Sequence, residues 1–269
     1  MDEWLKTIFL GLVEGATEFL PISSTGHLLI ASRLVDFREN LGGTFEIFIQ
    51  FGAVLAVIGF YLGDLLAQAR ALVREPRARH FWVAVAIAFL PAAVLGLLLR
   101  DFIRAALFTS PAVIAWSFIL GGIVLIAVEL APRPAAATKE ATEVSWPQAI
   151  AVGLAQALSL IPGVSRSGAS IVGGLLAGMD RPTATTFSFY LAIPTLGAAT
   201  LYDLARSVRG LSTADLAFLL VGTVVSGVVA WIAIRWLLRY VAHHTLLPFG
   251  VYRILAGGAL LALIAAGRV

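Results

Sequence analysis

Cysteine is absent from the 269 residues, so neither a disulfide framework nor a thiolate metal site is available. Charge is scarce as well: Asp, Glu, Lys and Arg together make up 13%, against ~25% in a soluble domain. Lysine is nearly missing. Lys6 and Lys139 are the only two, and arginine supplies 17 of the 19 basic residues, a bias of composition rather than of function. The net charge of +3 and the pI of 9.6 come without any run of basic residues, which argues against a nucleic-acid-binding module. A basic leader is not seen either. The chain opens Met1-Asp2-Glu3, acidic where a cleavable signal is basic, so none is expected. What the chain has in excess is apolar surface, with 59% hydrophobic residues and a mean hydropathy of +0.93. Disorder and a small secreted scaffold are excluded by that excess, and helices facing lipid are the class that accommodates it.

Six apolar stretches reach the ~20 residues that a bilayer crossing takes. They cover approximately 44–63, 81–99, 111–130, 184–204, 214–238 and 248–267, each bounded by polar or charged residues. Pro91 and Pro194 fall inside two of them, which membrane helices tolerate because neighbours satisfy the freed carbonyls. Only the segment 131–146, rich in Ala, Pro, Thr, Lys and Glu, has linker composition.

Two regions break the spanning pattern. A helical stretch over 4–20 runs into Pro21 and then Ser23-Ser24-Thr25-Gly26, followed by a short apolar piece at 28–35. That piece covers about 12 Å, less than half of the hydrocarbon core. The stretch 147–161 repeats the arrangement, with Pro162-Gly163-Val164-Ser165-Arg166-Ser167-Gly168 and then 169–179. Two short helices joined by a polar turn predict a re-entrant hairpin, with a pair of surface loops between interfacial helices as the alternative. Such a turn survives at membrane depth only inside protein or beside a wet cavity.

The two regions resemble each other at an offset of 142: Gly11-Leu12 aligns with Gly153-Leu154, Glu14 with Gln156, Ser23 with Ser165, Thr25 with Ser167, Gly26 with Gly168 and Phe45 with Phe187. The chain is therefore expected to form one membrane domain over 1–269. Its halves would be approximately 1–130 and 147–269, joined by the linker 131–146, each a hairpin followed by three spans. Three is odd, so the second half enters the membrane inverted, the plan that brings broken helices together near the midplane.

Charges inside such segments are costly and point to function. Glu14 and Glu18 sit four residues apart on one face of the first hairpin helix. They repel unless a cation, a proton or an arginine lies between them, and a hard divalent metal is one solution. The turn after them is dense in hydroxyls, Ser23, Ser24 and Thr25, then Gly26 and His27. One hydroxyl there is a helix cap, but three exceed what a cap needs, and His27 can act as base, acid or nucleophile. In the second turn Arg166 lies among Ser165, Ser167, Gly163 and Gly168. Its permanent charge needs a partner, either an anion held by guanidinium and backbone amides or an internal salt bridge to Glu14 or Glu18. Glu46 and Gln50 either extend a metal site or line the bundle, and Arg253 reads as an interfacial anchor. Carboxylates, hydroxyls and an imidazole on one hairpin, with an arginine and amides on the other, form an inventory for phosphoryl chemistry.

At these residues the chain resembles a known family. The run from Glu14 to His27, EGATEFLPISSTGH, is similar to the first motif of the bacterial undecaprenyl-diphosphate phosphatases, the bacitracin-resistance proteins. Pro162 to Gly168 is similar to their second motif, and the likeness extends through Phe45-Glu46, Gln50 and Pro248 to Arg253. The resemblance implies an all-α integral membrane enzyme that hydrolyses undecaprenyl diphosphate to undecaprenyl phosphate and inorganic phosphate. That reaction recycles the carrier lipid of cell-wall synthesis and confers resistance to bacitracin. It further implies a divalent cation, magnesium or calcium, and a homodimer in the inner membrane with its site open to the periplasm. Carried over by position, Glu14 and Glu18 serve the metal or act as base, and Ser24 or His27 is the nucleophile. Arg166 binds the diphosphate, and Ser23, Thr25, Gly26, Ser165, Ser167 and Gly168 line its seat. The alternative function is a carrier of an anionic lipid built on the same plan. Charge alone gives a weak orientation. With both termini outside, nine basic loop residues face in and eight face out, with the cluster 70–79 on the inner side.

Overall fold

A computed structural model describes residues 2–37, 44–107, 110–132, 138–207 and 213–267. Arg38, Arg133, Arg209 and Arg268 of the charge comparison lie outside the described residues, as do 133–137 of the expected linker. Among the described residues there is no strand, only an isolated bridge between Thr138 and Met179. The helices are α1 (Glu3–Thr17), α2 (Ser24–Leu34), α3 (Thr44–Phe60), α4 (Leu62–Ala71), α5 (Pro76–Leu98), α6 (Arg100–Phe102), α7 (Pro111–Leu130), α8 (Trp146–Ala157), α9 (Arg166–Leu176), α10 (Arg181–Ser207), α11 (Thr213–His243) and α12 (Leu247–Ala265). A π-helical turn follows α6 and a 3-10 turn follows α8. Five of these helices are long and apolar enough to cross a membrane, and α3 with α4 makes a sixth span if that bent pair is counted as one. The outward faces carry bare Leu, Val, Ile and Trp, such as Leu98, Leu220, Trp116 and Leu255, which only a lipid solvent accepts over such an area. The chain is an all-α integral membrane protein.

The span expected over 44–63 is α3, which ends at Phe60. Its axis bends by 64° between α3 and α4, where Tyr61 leaves helical geometry and stands between the rings of Phe60 and Tyr190. Helix α4 has no buried residue. The described part of the linker segment is docked rather than loose. Gln148 accepts from the Ser145 backbone at 3.0 Å to close a capping box on α8, and donates to Ala177 O at 2.9 Å and to Thr138.

Both hairpins are present. Helix α1 stops at Thr17, and Pro21 bars its continuation. Helix α8 gives way to its 3-10 turn and then to Gly163, at φ 88°. The second arms are α2 and α9, each 11 residues and so about 16 Å long. Their boundaries differ from the expected pieces 28–35 and 169–179. Each starts earlier, so that Ser24-Thr25-Gly26 and Arg166-Ser167-Gly168 form first helical turns rather than loops. In α9 the Ser165 hydroxyl caps that turn by accepting from the Gly168 amide; α2 has no such side-chain cap, and its first hydroxyl, Ser24 Oγ, is turned to Glu18 instead. Ser24 and Arg166, the first residues of α2 and α9, are separated by the repeat offset of 142.

The helices interlock. Helix α1 packs on α11, and α8 packs on α5. Helix α11 also receives α3, α5 also receives α10, and α7 lies along α12. Each hairpin thus rests on a span from the other half of the chain. Close approach depends on absent side chains: a Cβ on Gly11 would lie 2.9 Å from Gly222 O, and one on Gly153 would lie 2.6 Å from Ala88 O. Small residues at such crossings let dispersion contacts hold helices that lipid does not press together. Phe19 fills the centre, fully buried and edge-on to Phe189 at 5.3 Å. The loops expected on the inner side gather at one end. Arg77 pairs with Glu140 and Glu143, while Arg181 forks onto Glu129, which also accepts from the Leu246 amide at 2.9 Å.

Candidate active site

The two turns meet over one carboxylate. Glu18, just past the end of α1, accepts a hydrogen bond from Ser24 Oγ at 2.6 Å and stands 3.5 Å from Arg166 Nη2. The first residues of two helices from different halves thus converge on Glu18. Arg166 is 8% exposed. Its Nη1 donates to Ser188 O at 3.0 Å, and its guanidinium lies over the Phe19 ring at 5.7 Å. Its Nε is buried with no hydrogen-bond acceptor and its Nη2 is engaged only by the longer ion pair with Glu18, so the fork retains donor capacity for an anion. The turns are stitched by hydroxyls: Ser167 Oγ donates to Leu20 O at 2.8 Å, Ser165 Oγ accepts from the Gly168 amide at 3.0 Å, and the two hydroxyls lie 2.9 Å apart.

A cavity of about 570 Å³ opens onto this point. Glu18, Ser23, Ser24, Thr25, Gln50, Ser165 and Arg166 form its polar part; Phe89, Ala92, Leu97, Leu160 and Leu196 contribute to an apolar wall from α5, α10 and the second hairpin. A second hollow, about 430 Å³, lies between α3 and α11, but its lining from Gly52 to Ile232 includes no ionisable group.

Not every expected site residue faces the cavity. Gly26 presses on Phe118, where a Cβ would overlap the ring; Ser167 and Gly168 lie behind the lining and hold the turn. His27 is turned away. Its Nδ1 bonds the Ser23 carbonyl at 2.7 Å, its Nε2 bonds the Tyr252 hydroxyl, and its ring stacks on Tyr252 at 5.5 Å. A carbonyl can only accept, so Nδ1 carries the proton and Nε2 accepts from the phenol. Both nitrogens are thereby engaged, and the bond holds Ser23 in the left-handed region at φ 71°, a strained setting for a residue with a side chain.

Glu14 is 1% exposed, with both carboxylate oxygens buried and unbonded, and feels the charges of Glu18 and Glu46. Among the described residues no three His, Asp or Glu side chains cluster as a metal site. Glu18 lines the cavity and Glu14 lies behind that lining with both oxygens unbonded; this pair of carboxylates has the chemistry a hard cation takes, since such a cation prefers oxygen donors and retains waters.

Arg253 is corrected. It is no interfacial anchor: it is 2% exposed and donates to the carbonyls of Pro21, Ser117, Phe118 and Gly163. A lone permanent charge within an apolar helix was the signal, the same one that singled out Arg166.

Fold and site define a membrane protein with the groups of a phosphoryl-transfer enzyme at a junction of two broken helices. Its sequence matches the model of the bacitracin resistance protein BacA family over residues 7–259, and the chain belongs to that family. Among its relatives, the undecaprenyl-diphosphatase of Albidiferax ferrireducens is 49% identical over 98% of this chain and 96% of its own. That of Acidovorax ebreus is 47% identical over 94% and 92%, and that of Cereibacter sphaeroides 46% over 98% and 97%.

Proposed function

We propose that this chain is an undecaprenyl-diphosphatase. It cleaves the phosphoanhydride of the lipid diphosphate with water, yielding undecaprenyl phosphate for cell-wall synthesis and inorganic phosphate, and so opposes bacitracin. The observation that carries the reading is the line Ser24–Glu18–Arg166 at the polar part of an apolar-walled cavity. Relatives named for that activity, at nearly full length, support it.

Ser24 is the nucleophile. Glu18 accepts its proton as Oγ attacks the terminal phosphorus, and the anhydride bond breaks with undecaprenyl phosphate leaving. Water then cleaves the phosphoserine, with Glu18 assisting, and phosphate departs. Arg166 neutralises the equatorial oxygens through the N–H groups that no acceptor holds by a hydrogen bond, with its Nη2 turning from Glu18 to the phosphate. His27 holds the turn in this scheme and does not attack. A divalent cation, magnesium or calcium, would be held by Glu14 and Glu18 and would neutralise charge on the phosphate oxygens. The prenyl chain runs along the apolar wall and out between helices. The carrier alternative is less apt, because transport has no use for a hydroxyl bonded to a carboxylate at 2.6 Å.

The halves 1–130 and 147–269 are an inverted repeat of one membrane domain, supported by the matched starts of α2 and α9 and by the exchanged packing of α1 on α11 and α8 on α5. We further take the protein to be a homodimer in the inner membrane with the cavity open to the periplasm; the orientation alone is supported by the basic cluster 70–79 at the opposite, cytoplasmic end. Detergent-purified protein should release phosphate from undecaprenyl diphosphate, lose that activity in chelator and regain it with magnesium or calcium. Full turnover in chelator would remove the metal from the scheme, and no turnover in either cation would remove the enzyme.

A further inference from the structure

Arg253 occupies a seat that the scheme above does not use. Its guanidinium donates from Nη1 to Pro21 O at 3.2 Å, from Nη2 to Gly163 O at 3.0 Å and Ser117 O at 2.8 Å, and from Nε to Phe118 O at 3.4 Å. All four acceptors are backbone carbonyls, which repay only part of the cost of burying a full charge. The seat is carved to shape. A Cβ on Gly121 would overlap the guanidinium, and one on Gly122 would come within 3.1 Å of Arg253 Cβ.

The two turn carbonyls hold equivalent places. Pro21 and Gly163 are separated by the repeat offset of 142, and each precedes by three residues the group that meets Glu18, Ser24 in one turn and Arg166 in the other. One rigid planar fork therefore spans the two turns at matching points. The hydroxyl stitches at Leu20 tie the turns from within, whereas Arg253 ties both of them to α7 from outside.

Resting on the phosphatase reading, we infer that Arg253 is a positioning residue: by bridging Pro21 and Gly163 it sets the distance between Ser24 Oγ and the phosphate seated on Arg166. It touches no substrate. Lysine keeps the charge but cannot hold two carbonyls in one plane. Misplacement of an attacking atom is read in kcat far more than in KM.

The test is steady-state phosphate release by detergent-purified wild type, Arg253→Lys, Arg166→Lys and the double variant, with thermal unfolding measured on each. Arg253→Lys should lose about 10- to 100-fold in kcat, with KM within about twofold of wild type. In the Arg166→Lys background the same change should cost less than about threefold, because the alignment it serves is already relaxed. Gly121→Ala, which evicts the guanidinium without changing charge, should reproduce the Arg253→Lys loss. A residue that merely holds the scaffold would lower the active fraction by the same factor in both backgrounds. Additive losses, or failure of both Arg253→Lys and Gly121→Ala to fold, would overturn the inference and leave the phosphatase standing. A wild-type protein without turnover would bring down both.

Discussion

Glu18 and Glu14 lie one helical turn apart, yet their surroundings assign them different weights. Glu18 holds Ser24 and faces Arg166, while Glu14 has no hydrogen-bond partner and meets other carboxylates. Glu18→Gln removes both the base and the counter-charge of Arg166, and kcat should fall by at least about 100-fold, the range of a lost general base. Glu14→Gln should cost less, and should leave thermal stability unchanged or raised because a buried like charge is gone. Kinetics on the two variants in one lipid assay decide it; the reverse order would show Glu14 to be the group nearer the chemistry. Arg166→Lys keeps a cation but loses the fork. It should forfeit roughly 2–4 kcal/mol of transition-state stabilisation, as for a deleted oxyanion donor, or about 30- to 1,000-fold in kcat/KM. A folded Arg166→Lys with near-normal kcat/KM would make Arg166 no more than the counter-ion of Glu18.

At the scale of elements, the second hairpin turns on Gly163. Its φ of 88° is one that only glycine adopts without strain, and a Cβ there would lie 2.8 Å from Ile114 O, a backbone atom that cannot step aside. Gly163→Ala should destabilise the protein by about 1–3 kcal/mol, lowering the thermal midpoint and turnover together. An unchanged midpoint would mean that the turn has room to adjust. The hairpins themselves were legible in sequence, because Pro21 and Gly163 interrupt apolar stretches and the pieces beyond them are too short to span. The bend at Tyr61 was not, since it has no proline and depends on aromatic packing with Phe60 and Tyr190. The starts of α2 and α9 were set too late for a related reason. Hydroxyl and glycine composition reads as loop, while these residues serve as the first helical turn once their groups find partners. The seat of Arg253 was hidden because its acceptors are main-chain atoms at 21, 117, 118 and 163, which no side-chain pattern announces. The orientation of His27 is hidden on the same ground: a histidine beside hydroxyls suggests chemistry, and only the position of Tyr252, across the chain, shows which way the ring faces.

Across the whole molecule, α1 rests on α11 and α8 on α5, so each turn is held by spans from the other half, and the turns meet where neither half alone could form a site. Ser24 comes from one half and Arg166 from the other, with Glu18 between them. The central claim is that this junction hydrolyses the lipid diphosphate through Ser24. The most direct measurement compares phosphate release from undecaprenyl diphosphate by purified wild type, Ser24→Ala and His27→Gln, with the unfolding midpoint of each measured alongside. The account predicts that Ser24→Ala keeps its fold and loses about 1,000-fold or more in kcat, as when an attacking hydroxyl is deleted. It predicts a smaller loss for His27→Gln, accompanied by lower stability. A well-folded Ser24→Ala that retains most of its turnover, with His27→Gln inactive, would contradict it and make the imidazole the attacking group.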